Sequence, residues 1–403
     1  MILIASSGVF PLTLQKVVAQ LSTTSHPVSN ASELHNTTTS ADKGHLSMAV
    51  LNQIKPIILK NLGNKSGSVS IVVGVITPNG ASVSGYGNIS KVNTTKVNGD
   101  TIFDIGSLTK TLTAALLADM VKRGIVKFDD PIEKYLPANV TVPSYNGHKI
   151  TLEDLATYTS GLPDLPRAVA VNRTSPTQQI YNFISNSSLV SEPGTRYNYS
   201  NLGAGLLGHI LSLKAGIPYE QLVRDRILNV LGMNSTGIAM NSTQITTPLP
   251  DVLKSRLAKG HVGGKEISSL SFVPEVLQPA GAAYSSANDL LKYLSANMGL
   301  IHTKINDILQ DTHLIRHQDF TVTGNSSPTH DFMVGYTGLL WSILTNLGGE
   351  DTVVYKTGGI DGYTSYIAFN PANQTGLVVL CSCDETDFNQ SLLQIPLYLW
   401  LRA

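Results

Sequence analysis

Apolar and polar positions change their period along the chain. Residues 46–62 place Val50, Leu51, Ile54, Ile57 and Ile58 at helical spacing, with Gly63 following as a C-cap. Residues 69–75 and 81–87 are short β-favouring runs joined by Pro78-Asn79-Gly80, which predicts a hairpin. From Leu108 the spacing is helical again, with Leu112, Ala115, Leu116 and Met120 on one face and Gly124 as the stop. Residues 129–325 read mainly as helices and loops, the clearest helices covering 202–214, 219–231 and 287–298. Then 338–344, 352–356, 363–370 and 376–381 read as consecutive strands between Gly, Pro and Asn turns, and 391–401 as a closing helix. Strands at both ends enclosing a helical middle predict an α+β fold: one antiparallel sheet flanked by helices, with a mainly helical subdomain inserted into it.

The same pattern sets the expected organisation. Residues 1–14 are mostly apolar and Val17-Val18-Ala19 offers small residues of the kind a signal peptidase accepts, though no charged n-region precedes them, so 1–19 is a candidate signal segment. Residues 20–45 are Ser-, Thr- and Asn-rich without an apolar period and read as a flexible linker. A single large domain over 46–403 follows, its α/β part formed by 46–112 and 330–403 and its helical part by 113–329. Asn-x-Ser/Thr sequons at Asn30, Asn36, Asn64, Asn93, Asn139, Asn234 and Asn325 fit an extracytoplasmic or secreted protein.

Composition narrows the partners. Among 403 residues, 28 are acidic and 28 basic, so no field draws the chain to nucleic acid or to an anionic membrane. After the first segment no run reaches the roughly 18 apolar residues of a membrane helix, so no integral span is expected in the mature chain. The two cysteines, Cys381 and Cys383, lie two apart in an alternating apolar run, where neighbours on one strand face are poorly placed to bridge.

Candidate chemistry lies in three separated motifs. Ser107-Leu108-Thr109-Lys110 sets a hydroxyl one helical turn before an amine; Tyr199-Ser200-Asn201 and Lys356-Thr357-Gly358 follow in that order. A serine hydroxyl needs a base within hydrogen-bond reach, and a neutral lysine at i+3 can serve. Ser107 opens the predicted helix, where outward N–H groups and the helix dipole can help a developing oxyanion. Each motif has a plainer reading: Ser107 as a helix N-cap, Lys110 as a solvated helix lysine, Tyr199 as a loop tyrosine, Asn201 as a cap, Lys356 as an edge-strand lysine. His313 and His317 fall at i and i+4 without a third ligand and read as surface or core histidines, so no metal is expected. Gly203, Gly205 and Gly208 read as close helix packing, and Trp341, Tyr336 and Phe369 as sheet-facing core. Together, order and spacing point to a serine hydrolase.

These residues resemble the serine β-lactamase and penicillin-binding-protein superfamily, in its class C β-lactamase, D-alanyl-D-alanine carboxypeptidase and esterase branch. The resemblance extends to residues 128–137 (Phe-Asp-Asp-Pro-Ile-Glu-Lys-Tyr-Leu-Pro), to Thr159-Ser160-Gly161-Leu162-Pro163 and to residues 281–290, and covers the chain from about Leu46 onward. It implies the β-lactamase/transpeptidase-like fold and no cofactor. By the resemblance Ser107 would attack an acyl carbon, Lys110 would take its proton, and Tyr199 would carry the proton to the leaving group and later activate water. Asn201 would hold substrate or lysine, Lys356 would meet a substrate carboxylate, Thr357 and Gly358 would line the substrate strand, and the N–H groups of Ser107 and Gly359 would form the oxyanion hole. Gly358 and Gly359, lacking a β-carbon, would let substrate lie close along the strand edge.

Three positions depart from the relatives' pattern, and those at Lys356 and 360–363 bear on substrate. Many carboxypeptidase and esterase relatives place His where Lys356 stands, whereas Ile360-Asp361-Gly362-Tyr363 looks more like those relatives than like true lactamases. Position 158 is Tyr where relatives often have His. The leading expectation is hydrolysis of a D-alanyl-D-alanine or D-amino-acid peptide. The alternatives are an esterase or β-lactamase on the same scaffold, or a non-catalytic cell-surface binding module. Asn198 completes a sequon inside the Tyr199 motif, where a glycan would block a small peptide or ester substrate.

Overall fold

The structure, a computed structural model, describes residues 48, 49, 51, 52, 69–166, 175–239, 249–267, 273–322, 333–346 and 352–383. The candidate signal segment, the linker and the closing helix at 391–401 lie outside these residues, as does the predicted helix at 46–62 apart from four helical residues.

The predicted hairpin is formed by β1 (Ile71–Thr77) and β2 (Gly80–Tyr86), registered from Ile71↔Tyr86 to Thr77↔Gly80 around the Pro78-Asn79 turn. β3 (Ile102–Gly106) leads into the helix Thr109–Lys122. The region read as helices and loops also holds short strands: β4 (Gly237–Ile238), β5 (His261–Val262), β6 (Lys265–Glu266) and β7 (Ala283–Ser286), with β7 pairing β3 and β4. β8 (His317–Val322), β9 (Met333–Thr337), β10 (Ser342–Asn346), β11 (Thr352–Ile360), β12 (Tyr363–Asn370) and β13 (Thr375–Cys381) follow. Eight strands make one antiparallel sheet in the order β2-β1-β13-β12-β11-β10-β9-β8. Because β13 pairs β1, the last described strand closes the sheet that the first opened, as an inserted helical region requires.

Several expectations are corrected by this architecture. Residues 338–344 are not one strand: Gly338–Trp341 turns between β9 and β10. The apolar run Leu339-Leu340-Trp341 is wholly buried because the turn faces inward, Leu339 N–H donating to Thr312 O and Leu340 N–H to Ala156 O. The cysteines do pair: Cys381 and Cys383 form a disulfide, their Cα atoms 5.3 Å apart. β13 ends at Cys381 and the chain bends at Ser382, so the extended spacing that argued against a bridge does not hold there. His313 caps the helix Asn306–Thr312 while His317 opens β8, so they share no helix face. His313 packs edge-on against Phe369 at 5.1 Å, and burial pushes its pKa down to about 4, as befits a core histidine.

The helices 202–214 and 287–298 appear as Asn201–Ala215 and Ala287–Asn297. Residues 219–231 form one helical path with a π-type segment at Arg224–Leu228, stopped by Gly232 at φ +63°. One core cluster runs from sheet residues such as Val72, Val354 and Phe369 to helical residues such as Leu116, Leu155 and Leu206. A second, including Val73, Tyr355, Tyr366 and Val379 with Leu51, covers the opposite sheet face. The glycines of Asn201–Ala215 work as packing surface: a Cβ on Gly208 would meet Pro279 Cβ at 2.3 Å and one on Gly205 would meet Val276 O at 2.7 Å. That close approach carries the 276–281 segment against the helix and delivers the Ala280 carbonyl to the site.

Candidate active site

Ser107 follows β3 through Gly106, whose φ of +49° and contact with Gly359 leave no room for a side chain; a Cβ there would lie 2.8 Å from Gly359 O. The turn sets the Gly106 and Gly359 backbones side by side, one residue before Ser107. Thr109 Oγ1 fixes the helix start, donating to Gly106 O at 2.6 Å and accepting from Ala283 N–H at 2.9 Å. Leu108 occupies the N-cap position without side-chain capping, so Ser107 is not serving as a cap.

Every side chain from Thr109 to Met120 is buried, so this helix runs through the core and Lys110 is fully enclosed. Nζ of Lys110 lies 3.0 Å from Ser107 Oγ, 2.7 Å from Asn201 Oδ1 and 2.6 Å from Ala280 O. Burial, then the nearby Lys356, lowers its pKa well below the usual lysine value, favouring the neutral amine. A neutral amine has two N–H bonds and one lone pair. Asn201 Oδ1 and Ala280 O can only accept, so they take the two N–H bonds and leave the lone pair facing the Ser107 hydroxyl. Ser200 Oγ, accepting from Gly203 N–H at 2.9 Å, caps the following helix and leaves Asn201 for Lys110.

Tyr199 O–H donates to the same Ser107 Oγ at 2.9 Å. Its ring lies between two amines, 5.1 Å from Lys110 Nζ and 4.7 Å from Lys356 Nζ to the centroid. Lys356 is buried, not an edge lysine, and burial lowers its pKa to about 7. It stands where β11 changes surroundings: β10 flanks β11 only from Thr352 to Tyr355, and beyond that the ladder continues with β12.

The space at Gly358 differs from expectation. A Cβ there would meet Ile105 O at 2.2 Å and Ser365 Oγ at 2.3 Å, so the missing side chain lets β3 press against β11 and does not open room for substrate. Thr357 is half-buried beside it, opposite Tyr366.

Two contributors left no signal in the sequence, and a third, Tyr158, stands out there only as a departure without a role. The Ala280 carbonyl is a backbone group and leaves no side-chain signal. Tyr158, held at φ +61°, lies with its ring tilted 36° to that of Tyr199 at 4.9 Å and meets Tyr197 edge-on at 5.6 Å, and its buried hydroxyl finds no hydrogen-bond partner among the described residues. Asp319 sits at a register shift of β8, accepts from Thr337 Oγ1 at 2.6 Å, and interacts electrostatically with Tyr158, Tyr197 and Tyr355. Burial pushes its carboxyl up to about 6.

The arrangement brings a buried amine with a lowered pKa and a phenol to one serine oxygen, with a second amine nearby. The Beta-lactamase family model matches residues 58–394. This chain belongs to the beta-lactamase family. Among its relatives, the D-alanyl-D-alanine-carboxypeptidase/endopeptidase AmpH of Escherichia coli K12 is 30% identical over 322 residues, covering 78% of this chain and 80% of AmpH. A class C beta-lactamase structure superposes with a TM-score of 0.70 at 22% identity, covering 92% of this chain and 99% of that one. A beta-lactamase/D-alanine carboxypeptidase from Yersinia pestis gives 0.68 at 24%, covering 88% and 99%. As a beta-lactamase family member the chain is a serine hydrolase with the predicted α+β fold. No helix among its described residues is long and apolar enough to cross a membrane.

Proposed function

We propose that the protein hydrolyses the terminal amide of D-alanyl-D-alanine-type or related D-amino-acid peptides through an acyl-enzyme on Ser107. The observation supporting this is the convergence of Lys110 Nζ and Tyr199 O–H on Ser107 Oγ, at 3.0 and 2.9 Å. Ser107 Oγ attacks the carbonyl carbon while its proton passes to the Lys110 lone pair. The backbone N–H groups of Ser107 and Gly359 receive the oxyanion; such a donor is typically worth about 3–4 kcal/mol to a transition state. Tyr199 relays a proton to the departing nitrogen as its bond to the acyl carbon breaks, then takes one from the water that releases Ser107. Lys356, with the half-buried Thr357 beside it, receives the carboxylate end of the substrate. The carboxypeptidase named among the relatives favours the peptide reading.

Intact-mass measurement after fluorophosphonate or penicillin treatment tests the acyl-enzyme: one adduct on Ser107 is expected, and none on folded protein would overturn it. Turnover of D-Ala-D-Ala peptides beside nitrophenyl esters tests the substrate. Faster turnover of peptides is expected, and preferential ester turnover would make the enzyme an esterase.

A further inference from the structure

Asn-x-Ser/Thr acceptor tripeptides exceed what composition requires. The chain has 27 asparagines, and 75 of its 403 residues are Ser or Thr, so random placement would give about five acceptors (27 × 75/403) with a non-proline middle residue. Fourteen are present.

The fold separates those that can carry a large modification from those that cannot. At Asn93, Asn139 and Asn186 both the asparagine and the hydroxyl residue two positions on (Thr95, Thr141 and Ser188) are exposed. Asn93 stands in the connection between β2 and β3, Asn139 in the loop after Leu136, and Asn186 at the end of the helix Pro176–Ser185. Asn234 is exposed as well, although Thr236 is buried against Ser285 and Asp289. Asn198 is different. It lies between Tyr197 and Tyr199 at Ser107, and Ser200 is a buried helix cap, so the site geometry accounts for that tripeptide.

Two independent features agree. The Cys381–Cys383 disulfide is of the kind that forms and persists in oxidising compartments. The chain is poor in charge: 14% of its residues are charged, against roughly 25% in an ordinary soluble protein, and the net charge is zero, a combination that promotes association unless something else solvates the surface. Val92, 92% exposed, adjoins the Asn93 acceptor.

We propose that the protein is N-glycosylated on Asn93, Asn139, Asn186 and Asn234 during passage through a secretory lumen, and that Asn198 stays unmodified in active enzyme. The co-reactant is a lipid-linked oligosaccharide diphosphate. The Nδ2 of asparagine forms a bond to the anomeric carbon of the first sugar, the anomeric C–O bond to the diphosphate breaks, the lipid diphosphate leaves with that electron pair, and one amide proton is released.

The test uses the full chain isolated from its natural host. Its intact mass is measured before and after peptide N-glycosidase treatment in ¹⁸O water, which converts each glycosylated Asn to labelled Asp. The expected result is a mass above that of the polypeptide, lost on treatment, with label at three or more of the four sites and none at Asn198. A mass equal to the unmodified polypeptide, label at fewer than three of the four, or label at Asn198 in protein that still reacts with fluorophosphonate overturns the proposal. That fluorophosphonate adduct on Ser107 reads the hydrolase chemistry separately from the glycans.

Discussion

The amide oxygen of Asn201 lies 2.7 Å from Nζ of Lys110, fixing one direction of an amine whose second direction is fixed by Ala280 O. A residue 91 positions away in the chain thereby orients the amine that stands 3.0 Å from Ser107 Oγ. Lys110→Ala is expected to lower the rate of acylation on the order of a thousandfold, within the range of a lost general base. Burst kinetics with a chromogenic substrate check this, with circular dichroism confirming the fold. A variant with an ordinary burst removes Lys110 from its assigned role.

Lys356, with its pKa near 7, is charged below that pH and neutral above it. Affinity for a carboxylate-terminated peptide should therefore fall as pH rises from 6 to 8, while an ester without a carboxylate shows no such trend in KM. Lys356→Met should raise the peptide KM roughly 10- to 100-fold, as for a lost charge-assisted hydrogen bond, and flatten its pH dependence. Equal KM profiles for both substrates in the unaltered enzyme would remove Lys356 from carboxylate binding.

Asp319 carries the opposite sign from an ordinary stabilising carboxylate. Its folded pKa of about 6 lies above the unfolded value, so the native state binds more protons than the unfolded chain between about pH 4 and 6, and stability falls as pH rises through that window. Asp319→Asn, which keeps the shape without the charge, should raise stability by about 1–2 kcal/mol at pH 8 and by little at pH 4. Urea unfolding at the two pH values gives the answer; an equal shift at both rules out the linkage.

Gly358→Ala should destabilise the fold by about 2–4 kcal/mol, because the new methyl group would collide with the Ile105 carbonyl and Ser365 Oγ. The denaturation midpoint should fall with the slope unchanged. Near-neutral stability would mean that β3 can withdraw from β11.

The sequence made much of this architecture legible where one period persists. The hairpin at Pro78-Asn79-Gly80, the helix after Ser107, β12 and β13 all follow from spacing because each has a simple environment. β3 and β7 did not, since they are short, buried and mix Asp104, Ser285 and Ser286 with apolar residues, so no alternation survives. Leu339-Leu340-Trp341 misled for the converse reason: apolar residues in an inward turn look like a strand. At the site, Ser107, Lys110, Tyr199, Asn201 and Lys356 carried their chemistry in motif order. Asp319 could not be read, because what brings it to Tyr158 and Tyr197 is a register shift between two strands.

The covalent link at the end of β13 closes around Ser382 alone. A cross-link gains strength mainly by denying an unraveled polypeptide the wandering of whatever it encloses, and here it encloses a single residue. Thiol reagents should therefore open the ring yet leave the melting temperature almost where it was. Endurance in this molecule resides in its strands, independent of the redox state around it.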